Sequence, residues 1–195
     1  MEIKMKKVIL ASSLLLAFSS VQAAESPRWD MASLSYQSVD IDGDKLTGFG
    51  ISGSKLLNDD FFAIASYGSV SDEISDVDFD YDSLSAGLGY RYAISKSADV
   101  FGVLSYEKVK LKASYRGNSE SDSENGYGLQ VGVRSMITEQ FELVGSVQYI
   151  DIADDSDTAF SVGALYDFTE QFSAGVSYTK GDDIDTIALS AVYFF

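Results

Sequence analysis

The sequence contains no cysteine and no histidine. Without cysteine it can form neither a disulfide framework nor a thiolate metal site. Without histidine it lacks the side chain most often used as a general base near neutral pH, and no motif supports a hydrolase built on aspartate alone. No cofactor is expected. Basic residues are scarce, 14 Lys and Arg against 30 Asp and Glu, and the formal charge of −16 argues against nucleic acid as a partner. Proline occurs once, so few strands would be interrupted. After the first two dozen residues no apolar stretch approaches the roughly 20 residues that a membrane-spanning helix needs. Any crossing of a bilayer must therefore be made by strands.

What is present is aromatic and alternating. Twelve Tyr, twelve Phe and one Trp are a large apolar load, and sixteen Gly suit tight turns and a crowded sheet face. At the N-terminus Lys4, Lys6 and Lys7 precede an apolar run from Val8 to Phe18 and the small-residue stretch Ser20-Val21-Gln22-Ala23-Ala24. This reads as a secretory signal, residues 1–23, cut after Ala23. Its removal leaves residues 24–195 as one domain of charge −18.

The hydrophobic period is two nearly throughout. Tyr127, Leu129, Val131 and Val133 alternate with Gly128, Gln130, Gly132 and Arg134; Phe141, Leu143, Gly145, Val147 and Tyr149 alternate with Glu142, Val144, Ser146 and Gln148. The polar face is rich in Gly and Ser, as the concave interior of a small barrel would be. Ten strands are predicted, at about 29–39, 46–57, 61–71, 79–94, 99–115, 127–137, 141–151, 159–168, 172–180 and 185–195. Short connections (58–60, 95–98, 138–140, 169–171) alternate with longer acidic ones (40–45, 72–78, 116–126, 152–158, 181–185). Short periplasmic turns alternating with longer outer loops are the pattern of an outer-membrane barrel. Eight strands is the alternative, with 46–57 and 61–71 the weakest segments.

Aromatic residues gather at strand ends. Phe61, Phe141, Phe168, Phe172 and Phe195 lie beside the short turns, and Tyr67, Tyr106, Tyr149 and Tyr178 lie toward the loops. Two girdles at two membrane interfaces are the expected arrangement. In the last strand Leu189, Ala191, Tyr193 and Phe195 share one face. A soluble protein would rarely leave such an edge open; a barrel in lipid pairs it with the first strand.

The signal, the alternating segments such as Tyr127–Ser135 and the Tyr193-Phe194-Phe195 ending together resemble the small outer-membrane β-barrel proteins of the OmpX/OmpA-like and opacity-protein type. The resemblance implies an all-β, closed antiparallel transmembrane barrel in the outer membrane of a Gram-negative cell. It also implies that Leu189, Ala191, Tyr193 and Phe195 form the signal read by the barrel-assembly machinery.

Three polar constellations are candidate sites. Arg91, Arg134, Glu142 and Asp167 have the lumen parity of their strands and lie near the short turns, so they should gather at the periplasmic end, as a salt-bridged plug or as the gate of a narrow pore. Asp78, Asp80 and Asp82 face Lys108, Lys110 and Lys112 across one hairpin, so an ion-pair ladder should carry that hairpin beyond the bilayer. The rival role for these lysines is to hold lipopolysaccharide phosphates. Finally, acidic clusters occupy the outer connections: Asp40/Asp42/Asp44, Glu120/Asp122/Glu124, Asp154/Asp155/Asp157 and Asp182/Asp183/Asp185. Asp40 to Asp44 fails the calcium-loop pattern, since glycine is misplaced and the twelfth position is Ile51. A solvated acidic surface is the first reading, with divalent cations bridging to lipid phosphates as a second. The functional expectation is a monomeric, non-enzymatic surface barrel in contact with outer-membrane lipid and lipopolysaccharide. A narrow passive pore is the alternative.

Overall fold

The computed structural model describes residues 26–41, 44–74, 77–115, 118–153, 155–182 and 184–195. The signal segment 1–23 lies outside the described residues. Ten strands follow one another in the chain: β1 (Met31–Ile41), β2 (Asp44–Leu56), β3 (Phe61–Ile74), β4 (Val77–Ala93), β5 (Ala98–Tyr115), β6 (Asn118–Met136), β7 (Phe141–Ile152), β8 (Asp155–Asp167), β9 (Phe172–Lys180) and β10 (Ile184–Phe194). Each pairs antiparallel with its neighbours in sequence, and β1 pairs with β10, so the sheet closes into a barrel. The closing seam runs in unbroken register from Met31↔Phe194 to Ile41↔Ile184. The ten-strand reading holds and the eight-strand alternative falls: 46–57 and 61–71 are both fully paired strands.

Alternation decides which side chain meets oil. On β10 Ile187, Leu189 and Tyr193 are exposed on the outer surface while Val192 and Phe194 are buried. Leu34, Phe49, Leu88, Leu104, Val131, Val162 and Val176 continue the outer apolar band around the sheet. The girdle residues Phe61, Phe168, Phe172 and Phe195 are exposed at the end of the short turns, and Tyr67, Tyr106, Tyr149 and Tyr178 at the other. Edge-to-face pairs such as Phe61–Tyr90, 5.1 Å between ring centroids, lace neighbouring strands together at the rim.

The four short turns share one construction. In each, an apolar residue donates its backbone N–H to the carbonyl four residues on: Leu57 to Phe61 (2.8 Å), Ile94 to Ala98 (2.9 Å), Ile137 to Phe141 (2.7 Å) and Phe168 to Phe172 (3.0 Å). The following Asn58, Ser95, Thr138 or Thr169 then accepts a backbone N–H on its side-chain oxygen, the local bonding that makes these residue types turn-formers.

Two expectations require correction. The outer connections are not long loops. Strand structure continues to within two or three residues of each reversal, leaving 42–43, 75–76, 116–117, 153–154 and 181–183 between strands. The largest difference is β6, which begins at Asn118 rather than near 127. Ser, Glu, Asp and Asn are depleted in strands, so 118–126 reads as loop in isolation. Pairing with β5, from Lys108↔Asn125 to Tyr115↔Asn118, overrides that propensity. The first strand begins at Met31, not 29, because residues 26–30 turn into the barrel mouth, where Pro27 and Trp29 are buried.

Strand lengths make the barrel lopsided. The nine residues of β9, at about 3.3 Å each and a tilt of about 40°, rise about 23 Å, close to the apolar band of about 25 Å. The nineteen of β6 rise about 48 Å by the same arithmetic. The β4–β5–β6 wall therefore projects well above the membrane. Leu189, mid-strand on the lipid face, tests the assignment of faces: Leu189→Arg is expected to cost about 2–4 kcal/mol of equilibrium stability in vesicle unfolding.

Candidate functional site

The periplasmic mouth is filled. Trp29 sits inside it, 4% exposed, with its ring 4.4 Å from Phe62 and 5.5 Å from Phe101. Phe62, on the lumen face of β3, is fully buried, and Val103, Leu56 and Ile64 pack around it. Phe62 pairs with Gly89 across the sheet. A Cβ at position 89 would strike its ring, which explains a glycine there.

Charges are threaded through this apolar plug. Trp29 Nε1 donates to Asp99 Oδ2 at 2.7 Å, and Arg91 Nη1 donates to the same oxygen at 3.0 Å. Asp99 is fully buried, and its Oδ1 has no hydrogen-bond partner among the described residues. Arg134 holds Glu142 through two bonds, Nε to Oε1 at 2.6 Å and Nη2 to Oε2 at 3.0 Å, with both residues buried. This fork-on-fork geometry is the strong form of an arginine–carboxylate pair. The Arg134 guanidinium also lies over the Trp29 ring at 4.6 Å. Arg28 reaches Asp167 at 2.6 Å, donates to the Glu170 carbonyl and stacks 3.7 Å from the Phe194 ring. At the rim Lys55 pairs with Asp30 at 2.7 Å. That bond, with a further one from the Leu56 N–H, holds the Asp30 carboxyl below its ordinary 3.8 against the opposing effect of burial.

Arg91, Arg134, Glu142 and Asp167 thus all lie at the periplasmic end, but they do not form one cluster. They belong to three separate pairs, two of which use residues that sequence reasoning did not single out, Asp99 and Arg28. For Asp99 the signal lay in the register, because it stands directly across from Arg134. For Arg28 and Trp29 the pattern gave no signal, because they precede the first strand.

Above the plug the lumen opens into a cavity of about 780 Å³ whose lining includes Gln37, Ser85, Ser105, Glu107, Gln130 and Gln148. The expected lining of Gly and Ser is found beside it, including Gly50, Ser52, Ser83, Gly175 and Ser177.

Outside the membrane, the β4–β5 register sets Asp80 opposite Lys112, Asp82 opposite Lys110 and Leu84 opposite Lys108. Asp78 stands opposite Ser114; its side chain lies outside the described ones. Among the described residues the row holds one ion pair, Lys112–Asp80 at 3.4 Å. Asp82 instead accepts the Tyr67 hydroxyl at 3.1 Å. Lys108 and Lys110 are exposed. Of the acidic clusters, Glu120, Asp122 and Glu124 stand on β6, Asp155 and Asp157 on β8, and Asp185 on β10; Asp42, Asp154 and Asp183 lie outside the described residues. Asp185 bonds Lys180 at 3.1 Å and Tyr178 at 3.0 Å. Among the described residues no group of His, Cys, Asp or Glu has the arrangement of a metal site.

A closed sheet with an outer apolar band, two aromatic girdles and a polar interior defines an integral outer-membrane barrel. The chain belongs to the outer membrane protein beta-barrel domain family, whose model matches residues 9–168, and its place is the Gram-negative outer membrane. No curated protein matches it. Among solved structures it is similar to the β-domain of the Bordetella autotransporter BrkA, at 12% identity and a TM-score of 0.51, covering 87% of this chain and 100% of that one. It is also similar to Ail, the attachment invasion locus protein of Yersinia pestis (19% identity, TM-score 0.45, 85% of this chain and 95% of that one). A third is the N-terminal β-barrel domain of Pseudomonas aeruginosa OprF (14% identity, TM-score 0.44, 87% and 100%).

Arg134→Ala strands the buried Glu142 carboxylate and is expected to destabilise the barrel by about 3–5 kcal/mol. The double change with Glu142→Ala should cost clearly less than the sum of the single changes, which denaturant titration in vesicles would measure as a coupling energy.

Proposed function

We propose that this protein is a non-enzymatic surface barrel whose role is interaction outside the cell, with the β4–β5–β6 wall as its presented surface. The observation that carries the reading is the length of these strands, 17, 18 and 19 residues, where about 9–11 suffice to cross a bilayer. The excess is mostly polar, with Phe79 and Leu111 as exposed apolar exceptions. It carries Asp80, Asp82, Glu120, Asp122 and Glu124 beside Lys108, Lys110 and Lys112. A paired sheet holds these charges in fixed rows, as a free loop could not. The absence of histidine supports a non-enzymatic role. The packed plug of Trp29, Phe62, Arg134 and Glu142 weighs against a passive pore.

Near the membrane, Lys108 and Lys110 follow the girdle residue Tyr106 on the same face, at the level where lipopolysaccharide phosphates would lie. We read them as a lipid contact, with divalent cations bridging nearby carboxylates to the same phosphates. The exposed face of Leu189, Ala191, Tyr193 and Phe195 is the one offered to the barrel-assembly machinery, and the barrel works as a monomer.

The test replaces residues 111–122 by Asn-Gly, a two-residue turn that suits a hairpin, so that Lys110 and Ser123 still pair. Cells carrying this variant should assemble the barrel, seen as heat-modifiable migration, yet lose the surface adhesion that the wild type confers. The wild type should be silent in planar bilayers; regular conductance steps would favour the pore instead. Lys108→Ala with Lys110→Ala should lower the lipopolysaccharide that copurifies with the barrel by about twofold or more, consistent with about 1 kcal/mol per surface charge, as read by mass spectrometry.

A further inference from the structure

Among the described residues, one deeply buried carboxylate of the lumen is not used by the plug. Glu107, on the lumen face of β5, is 7% exposed. Its Oε1 accepts the Ser105 hydroxyl at 2.5 Å, the Ser85 hydroxyl at 2.9 Å and the Gln148 amide at 3.5 Å. Its Oε2 takes no hydrogen bond from any described group. Nor is Oε2 sealed in, since among the described residues the enclosed and partnerless oxygen is Asp99 Oδ1. Glu107 lines the 780 Å³ cavity, and Oε2 is the atom left for an occupant. The place is built for the carboxylate: a Cβ at Gly128 would stand 2.8 Å from Oε1 and 2.6 Å from the Ser105 hydroxyl, so a larger residue there would displace it.

No described Lys or Arg lies within ion-pair distance of Glu107. The three described arginines are engaged at the periplasmic end, with Asp167, Asp99 and Glu142. A carboxylate buried with hydroxyl and amide donors but no counter-ion favours a cation.

The shape of the cavity narrows the class. From Gln148, which touches Glu107, the lumen face of β7 climbs through Ile150 and Ile152, which pair with Asp157 and Asp155 of β8. Asp157 Oδ1 is fixed at the rim by the Asp182 N–H at 2.9 Å, and all of these residues line the cavity. One anionic group therefore lies deep and others lie at the mouth, with an apolar wall between them. In the register Glu107, Gly126, Ile152 and Asp155 stand in one row, so the two anionic ends are three strands apart, about 14 Å round the wall between backbones, and inward-pointing side chains shorten that span across the lumen. We propose that this cavity, open toward the outside and closed below by Trp29 and Phe62, binds small linear aliphatic diammonium compounds, one ammonium on Glu107 and the other at Asp155 and Asp157. The acidic mouth concentrates cations at the entrance. This reading goes beyond the surface role and does not depend on it, since the site lies in the lumen.

The experiment is calorimetric titration of the folded full-length barrel in zwitterionic micelles at low salt with 1,5-diaminopentane dihydrochloride. One saturable site is expected. Glu107→Gln, which keeps the shape of the side chain, should weaken binding by about tenfold or more, and 1-aminopentane should bind the wild type more weakly than the diamine. Asp122→Asn, the same charge change on the projecting hairpin, should leave the affinity within about twofold, as a distant exposed charge does. Should Glu107→Gln fail to assemble, Thr186→Trp fills the cavity from β10 on the far wall, leaves the carboxylate in place and should abolish binding. The absence of saturable heat in the wild type overturns the proposal. So does equal weakening by Glu107→Gln and Asp122→Asn, which would mean diffuse attraction to an acidic surface, or undiminished binding by Thr186→Trp.

Discussion

Everything in this protein depends on the hydrogen-bonded seam between β1 and β10. In hydrocarbon an unpaired backbone N–H or C=O costs several kcal/mol, so a sheet can cross only if it has no edge. The seam supplies eleven residue pairs, Met31↔Phe194 through Ile41↔Ile184. Its lower end is extended by the Phe195 N–H, which donates to the Asp30 carbonyl at 3.2 Å. Once the seam is closed, each strand has a lipid face and a lumen face, and the period-two pattern becomes a radial division of chemistry.

The lumen that results is filled unevenly along its axis. Large residues and ion pairs occupy the periplasmic end: Trp29, Phe62, Arg134, Glu142, Arg91 and Asp99. Small and polar ones, Ser85, Ser105, Gln130 and Gln148, occupy the middle and leave room there. A second apolar cluster of Val39, Leu46 and Val70, with Tyr81 and Ile184 against it, closes part of the outer end. The opening that remains is on the side of β7 and β8, where Asp155 and Asp157 stand. The same asymmetry shows outside the barrel, where β9 ends near the membrane surface and β4, β5 and β6 continue beyond it. A vestibule with a floor and a wall that overhangs it suits encounter from outside better than passage through.

How much was legible follows from how local each signal is. Tyr127 to Arg134 announces its faces because each residue answers to its own immediate surroundings, oil or lumen. The turn at Phe168-Thr169-Glu170-Gln171-Phe172 is likewise set by neighbours in sequence. The polar stretch 118–126 could not be read as strand, because its pairing is imposed by the alternating Lys108-Val109-Lys110-Leu111-Lys112 of its partner. Trp29 gave no periodic signal, since it enters the mouth from outside the sheet. Phe62 shared a segment whose inner and outer faces are both apolar, and its burial depends on the space above Gly89. Arg134 and Glu142 were visible as a hairpin pair, and Arg91 with Asp99 repeats that geometry across the β4–β5 turn, whereas Trp29 reaches Asp99 from seventy residues away only when the sheet curves round the mouth.

The sequence by itself determined that this chain crosses the membrane with strands and which side chains face lipid, because those properties are repeated every two residues and each repeat is tested against solvent separately; that the strands number ten and not eight came from the pairing of β2 and β3. Only the tertiary structure decided what the interior is. The placing of Trp29 in the plug and the meeting of Glu107 with Ser85 and Gln148 bring together residues far apart in the chain across a closed curve, and the projecting wall depends on strand pairing that overrides local propensity.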